Sequence, residues 1–547
     1  RVRGDADLAQ ARRYLPAGLL PASAGKTIEA LRDLGGRARV DLALHADAAA
    51  PLRYSGAAVL DNVHVRVGDV ALNQIRGEVS FSPAEIRAER ARATLNGADL
   101  QLSVLLKDLT GAATYDVAVE SQAVKAPDAL GLLLPVDVSK SPGLVRGSIR
   151  FTGPLAAPEA HKVTGQLELV GVQIPVPFFD EPFRDVSGRL RIAGSTIDLE
   201  GMRARIAGDA IALDGRWTGG ERPLLVFQLS SPDLNIRHIL PHHVSPQEPW
   251  YEGLQVRGKL ALAKATYDNF VFTDLKNDLI LDHRTWRLER FSARAPGGGT
   301  VEGSGAFVDR GENGTFTVEP KITGVPLQTV LGWFDLGNNE VTGTVRLIGK
   351  FDFNGGTTEE RRRSLNGAVS VRIDDGMMRR FQLAVRILSF IDLSRWFTLK
   401  LPNINQEGIR FRMVSADVKI AQGVYSTQNF FLDGDDLRIT GAGKLDGTTD
   451  DIDFVVAVRP FPGIDHAWNY IPILGTGLAA VKNSLLVASF RVRGPINDAS
   501  VMPAPLSTLS EFFYGALAIP KGLIGLPPST PSKEPTSPAP APAAITK

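Results

Sequence analysis

The chain contains no cysteine, so it has neither a disulfide framework nor thiol chemistry, which suits a cytosol or a periplasm equally. It has no excess of either charge: 61 Lys and Arg stand against 60 Asp and Glu, for a net charge of +1. That balance argues against nucleic acid as a partner, because such proteins carry a clustered basic surface. There is no run of about 18 or more uncharged apolar residues, so no segment reads as a membrane-spanning helix. The nearest candidate, 470–481, holds Gly475 and Gly477 and stops at Lys482. No signal peptide opens the chain, and it begins at Arg1, which reads as a fragment whose natural N-terminus lies upstream. Aromatic residues are few, at 7%, but apolar residues at 44% and charged residues at 22% describe a foldable chain.

What the sequence does have is repetition. The phrase Gly-x-(apolar)-x-(apolar) begins at Gly36, Gly147 and Gly258, at steps of 111 residues. A second phrase keeps that step from Gly77 to Gly188, and a third runs from Asn96-Gly97 to Ala207-Gly208 and then, after 89 residues, to Gly297. Self-similarity at a fixed period marks an array of one supersecondary unit, so function belongs to the array and not to one pocket.

Between these markers the apolar residues alternate with polar ones, the period of strands with one buried face. Such pairs are Val79 and Phe81, Leu100 and Leu102, Ile149 and Phe151, Leu190 and Ile192, Ile197 and Leu199, and Ile211 and Leu213. Leu260 and Leu262, Leu279 and Leu281, Val345 and Leu347, Val369 and Val371, and Val418 and Ile420 continue the series. The expected fold is mainly β: an elongated, twisted antiparallel repeat sheet curled into an open hydrophobic groove, with a few short helices. These 22 side chains are the candidates for lining it. At about 4.8 Å per strand, roughly 30 strands would make a trough on the order of 140 Å long.

Compact Leu-rich, Pro-flanked segments at 126–135, 232–241 and 326–334 predict single helical turns between sheet segments. A helix is expected over 24–34, capped by Ser23 and stopped by Gly35. The run 359–363 (EERRR) reads as a solvated loop. Residues 377–397 read as an amphipathic helix, with Met377, Phe381, Ala384, Leu388 and Ile391 on one stripe. The expected order is a helical or linker segment at 1–35, β-repeats at 36–146, 147–257 and 258–342, a C-terminal region at 343–505, an apolar terminal segment at 506–527 and a disordered Pro-rich tail at 528–547. In the terminal segment Phe512, Phe513, Tyr514 and Leu517 are candidates for contact with a membrane or partner.

Catalytic signatures are missing. His238, His242 and His243 lie close together, but the matching segments of the other repeats hold no His and no CxxC or HExxH accompanies them. There is no Gly-x-Ser-x-Gly elbow. Gly441-Ala442-Gly443-Lys444 imitates a phosphate loop, but Leu445 replaces the magnesium-binding hydroxyl, and a turn between strands is the expectation. Neither an enzyme nor a metal or cofactor is expected. An apolar trough suits acyl chains, whose transfer from water is favourable by about 0.8 kcal/mol per CH₂.

The block DGMMRRFQLAVRILSFIDLSRW, the stretch 407–447 and the closing IPILGTGLAAVKNSLLVASFRVRGPINDASVMP (471–503) resemble the AsmA-like C-terminal region. The RYLP and LLLP phrases of the N-terminal half are similar to those of YhdP-type members, and the resemblance covers most of 10–515. It implies a periplasmic bridge-like lipid-transfer protein of Gram-negative bacteria, with an inner-membrane anchor missing here, phospholipid as transported ligand, and the inner and outer membranes and envelope proteins as partners. The alternative it implies is a structural or assembly role in outer-membrane protein biogenesis, as for TamB-like proteins. The Pro-rich tail departs from the expected ending.

Overall fold

The structure, a computed structural model, describes residues 1–10, 31–47, 50–67, 70–131, 137–157, 160–176, 179–240, 252–311, 314–334, 341–379, 408–435, 437–460 and 488–504. It is mainly β, with 27 strands and three short α-helices lying wholly within those residues. The chain divides into two units, Arg1–Ile373 and Asp374–Lys547.

In the first unit, β1 (Val2–Asp7) pairs with the first of six strands: β2 (Leu31–Asp47), β3 (Ala50–Val67), β4 (Val70–Phe81), β5 (Glu85–Leu95), β6 (Ala98–Lys107) and β7 (Thr114–Lys125). Helix α1 (Ala126–Leu130) follows. Six more strands repeat the pattern: β8 (Leu144–Pro154), β9 (Lys162–Ile174), β10 (Phe183–Ala193), β11 (Thr196–Ile206), β12 (Asp209–Thr218) and β13 (Leu224–Ser231). The two-residue β14 (Leu234–Asn235) and a 3-10 turn (Ile236–Ile239) then take the place of α1. The third group has only five strands: β15 (Gln255–Tyr267), β16 (Phe270–Asp282), β17 (Thr285–Arg294), β18 (Thr300–Val308) and β19 (Thr315–Pro326), followed by α2 (Leu327–Trp333). After it come β20 (Thr344–Asn354), α3 (Thr358–Ser364) and β21 (Asn366–Met378).

From β1 to β13 and from β15 to β20, each strand pairs antiparallel with the next. Between β13 and β15 the pairing is parallel, so the sheet is mixed where pure antiparallel pairing was expected. The parallel step compensates for the missing strand. With five antiparallel strands alone, α2 would emerge at the opposite edge from α1 and the 3-10 turn. One parallel pairing restores the direction, and all three helical turns follow strands that point the same way. The opposite edge carries tight hairpins such as Gly194-Ser195 and His283-Arg284.

The same logic separates two of the repeat signals. Gly36 and Gly147 stand on β2 and β8, equivalent first strands, but Gly258 stands on β15, which runs in the direction of β9. Gly258 faces Leu279 across β15–β16 where Leu167 faces Leu190 across β9–β10. The structural step into the third group is therefore the shorter one, seen at Gly297.

Bulges repeat with it. Gln74, Asp185 and Asp274 all have positive φ (52°, 54° and 51°), as do Arg90, Gly201 and Arg290, and each interrupts the strand register. An extra residue at equivalent places in successive strands bends each strand the same way, which is how a sheet acquires curvature.

The second unit is an antiparallel meander of β22 (Ile409–Ala421), β23 (Val424–Gly434), β24 (Leu437–Asp446), β25 (Asp451–Pro460), β26 (Ala488–Pro495) and β27 (Ser500–Pro503). Val455 to Val458 are all buried, so β25 is covered on both faces.

Local expectations are partly revised. Residues 31–34 belong to β2 and are not the end of a helix. The 359–363 run is helical, closed by a capping box in which Thr357 Oγ1 accepts from Glu360 N and Glu360 Oε2 accepts from Thr357 N. Met377 and Met378 lie in β21, and 380–397 of the expected amphipathic helix lie outside the described residues, as do 506–547. Gly441 to Lys444 lie within β24 and form no turn.

Candidate apolar groove

Strand alternation sends every second side chain to one face, and the register decides which of them meet. In the first unit the predicted apolar pairs fall on a single face. Val79 opposes Ala88 and Phe81 opposes Ile86; Leu102 lies between Ala91 and Val119, and Leu100 opposes Ala93. Ile149 opposes Val119 and Phe151 opposes Val117. Leu190 and Ile192 meet Leu199 and Ile197, and Leu213 bridges Met202 and Leu229. Ile211 opposes Ala204. Across the parallel step Leu229 meets Leu260 and Ser231 meets Leu262; Leu279 and Leu281 then meet Leu288 and Trp286. Leu347 and Val345 meet Ile322 and Val325, and Val371 packs on the same cluster. Val369, two residues before Val371, shares its face of β21.

Burial along this face is graded. Near the edge with the helical turns it is covered. Ala126 and Leu130 of α1 join Val145, Leu169, Val172 and Met202, and Ile236 and Ile239 of the 3-10 turn pack on Ile206, Leu234 and Ala265. Trp333 of α2 lies 5.7 Å from the Phe270 ring and 5.6 Å from Phe272. Toward the hairpin edge Val79, Phe81, Ile149, Phe151, Leu190, Ile197 and Leu199 are half-buried. There Phe307, Phe316 and Phe353 form a stacked ladder at 4.6 and 5.1 Å. At β15–β16 the hairpin edge is covered too, because Val256 and Leu281 are buried with Leu254 and Trp286 packed on them.

The other face holds the charge. Arg150 pairs with Asp116 (2.7 Å), Arg146 with Glu168 (3.4 Å), Lys321 with Glu302 (2.8 Å) and Lys350 with Glu319 (2.8 Å), all between adjacent strands. The Lys350 ammonium, through its hydrogen bond, holds the Glu319 carboxyl below its ordinary range. A cross-strand lattice of opposite charges accounts for the near-zero net charge. His238 Nδ1 lies 2.9 Å from Asp209 Oδ2, and among the described residues no three His, Asp or Glu side chains come together to hold a metal. His242 and His243 lie outside the described residues.

The second unit has its own apolar concavity. Met378, Ile409, Val418, Phe430, Leu432 and Phe454 line a cavity of about 310 Å³, and Ile420 is buried beside it on β22. Phe430 and Phe454 meet edge to face at 5.9 Å. Gly441 and Gly443 serve this packing: a Cβ at Gly443 would stand 2.6 Å from Phe454 Cα. Close approach of a ring is the reason for those glycines, and phosphate binding is not. The predicted contact residues Phe512, Phe513, Tyr514 and Leu517 lie outside the described residues.

Alternation did not single out two features of the first unit. One is the aromatic cluster around Trp333; the other is Asn277, a polar side chain on the apolar face that is 4% exposed. The repeat held a signal for Asn277, because it occupies the place of Gly77 and Gly188.

No curated protein and no solved structure matches the chain. Residues 259–501, from β15 to β27, match the family model described as YhdP protein. That match is consistent with a YhdP-type C-terminal portion, as the AsmA-like resemblance of these motifs implied.

Proposed function

We propose that this protein is a periplasmic bridge-like lipid-transfer protein that passes phospholipid between the inner and outer membranes along its apolar sheet face. The observation that carries the reading is the division of the two faces. One presents register-matched Val, Ile, Leu and Phe side chains from β4 to β20, half-buried toward the hairpin edge except at β15–β16, and the other is laced with ion pairs. Exposed apolar surface on this scale is unfavourable in water unless something apolar covers it. Acyl chains fit that requirement, with their heads outside, and no catalytic step is needed. The match of residues 259–501 to the YhdP family model supports an envelope role.

The test is lipid content and transfer. Protein purified without detergent is expected to carry phospholipid by mass spectrometry, and Leu190→Asp or Ile211→Asp is expected to abolish transfer between vesicles. Absence of lipid together with full activity of both variants overturns the reading. Nascent β-barrel strands co-purifying in place of lipid, with groove charges tolerated, would instead establish an assembly role.

A further inference from the structure

We propose that Asn277 is a polar recognition point in the apolar face, where its side-chain amide hydrogen-bonds the carbonyl of an acyl chain; this rests on the lipid-transfer reading above.

Asn277 is 4% exposed, and neither its Nδ2 nor its Oδ1 has a hydrogen-bond partner. It opposes Leu260 across β15–β16 and shares its face of β16 with Leu275 and Leu279. An amide desolvated among leucines with no partner is unfavourable, and such a group calls for an explanation. The repeat supplies a control. Gly77 and Gly188 occupy the same place, each three residues after a positive-φ bulge at Gln74 or Asp185, as Asn277 follows Asp274. In those copies a side chain is excluded: a Cβ at Gly77 would stand 2.9 Å from Ala91 Cα, and one at Gly188 would stand 2.8 Å from Met202 Cα. The fold of the repeat therefore does not require an amide here, and only the third group makes room for one.

The position also narrows the ligand. At β15–β16 both ends of the apolar face are covered, and the half-buried stretch between them is at Leu260 and Leu279, beside Asn277, where an acyl chain on this face would lie. An acyl chain is apolar except at its carbonyl, the one group it brings to this depth that can accept from Nδ2. The carbonyl has two sources, the ester of a phospholipid and the carboxyl of a free fatty acid; the protonated carboxyl would also donate to Oδ1.

The full-length chain is offered vesicles of diacyl phospholipid, vesicles of the dialkyl ether analogue with the same head and chain length, and the matching free fatty acid. Bound lipid is then counted by mass spectrometry. Wild type is expected to retain the ester lipid, the fatty acid or both about 3- to 10-fold over the ether lipid, the worth of one hydrogen bond. Asn277→Leu is expected to lose that preference while binding ether lipid as before, and to melt no lower than wild type. Asn277→Ala serves the same comparison if the leucine variant does not fold. Which carbonyl lipid is preferred assigns the source. Equal retention of all three by wild type, or a preference that survives both substitutions, overturns the proposal while leaving the groove intact. Failure of wild type to retain any lipid overturns both.

Discussion

Arg491 and Asp453 join β26 to β25 through two parallel hydrogen bonds, Nε to Oδ1 and Nη2 to Oδ2, each 2.9 Å. Arg493 adds a contact at 3.3 Å. The Arg491 guanidinium holds the Asp453 carboxyl below its ordinary range despite partial burial. A carboxyl lowered on folding stabilises above its unfolded pKa of about 3.9, and that contribution is lost as pH falls through the folded value. Asp453→Asn is expected to cost the second unit about 1–2 kcal/mol at neutral pH and to remove part of its acid sensitivity below about pH 4. Urea titrations at pH 7 and pH 3 check this: an equal loss at both values contradicts it.

Trp333 is the anchor of α2 on Phe270 and Phe272. Trp333→Ala is expected to cost about 3–5 kcal/mol, because the helix is too short to hold itself without that contact. Protection of backbone amides in β16 and β20 against hydrogen exchange is expected to fall with it. Unchanged protection would show that α2 is held by something other than this ring.

Gly188 has φ +148°, and a side chain there would strike Met202. Gly188→Ala is expected to destabilise the first unit by about 1–3 kcal/mol. Combining it with Met202→Ala is expected to recover only the share due to the Met202 Sδ, and to leave the clash with Met202 Cα and the strain of the positive φ, which a double-mutant cycle separates.

Lys321 and Glu302 form an exposed pair, with roughly half of each side chain in water. Lys321→Ala is expected to change stability by less than about 0.5 kcal/mol and to leave lipid content unaltered. A large effect on either would move function to the charged face.

Thr357→Ala removes one half of the capping box of α3 and is expected to fray that helix at a cost of about 1 kcal/mol. Faster amide exchange confined to 358–364, with the β20 core protected as before, is the outcome to look for.

The strand content, the helical turns and the apolar pairs were legible because each depends on local sequence: period-two alternation, Pro at a helix start, Gly at a turn. The capping box at Thr357 was equally local, and the charged run after it hid the signal. Gly441 and Gly443 misled for a different reason. A glycine that opens a turn and one that admits the Phe454 ring look the same until the neighbouring strand is known.

Alternation by itself determined that the strands of the repeats have one apolar face, and the repeat determined that these faces recur in series. Which side is covered was decided only by the tertiary structure. A one-residue shift in register reverses every side chain, and the register here is set by pairing with neighbours and by the bulges at Gln74, Asp185 and Asp274. The same holds for the phase of the repeat. Gly258 continues the 111-residue step in sequence, yet it lies on a strand turned by the parallel pairing of β13 with β15, a contact between strands separated by a long connection that local sequence does not encode.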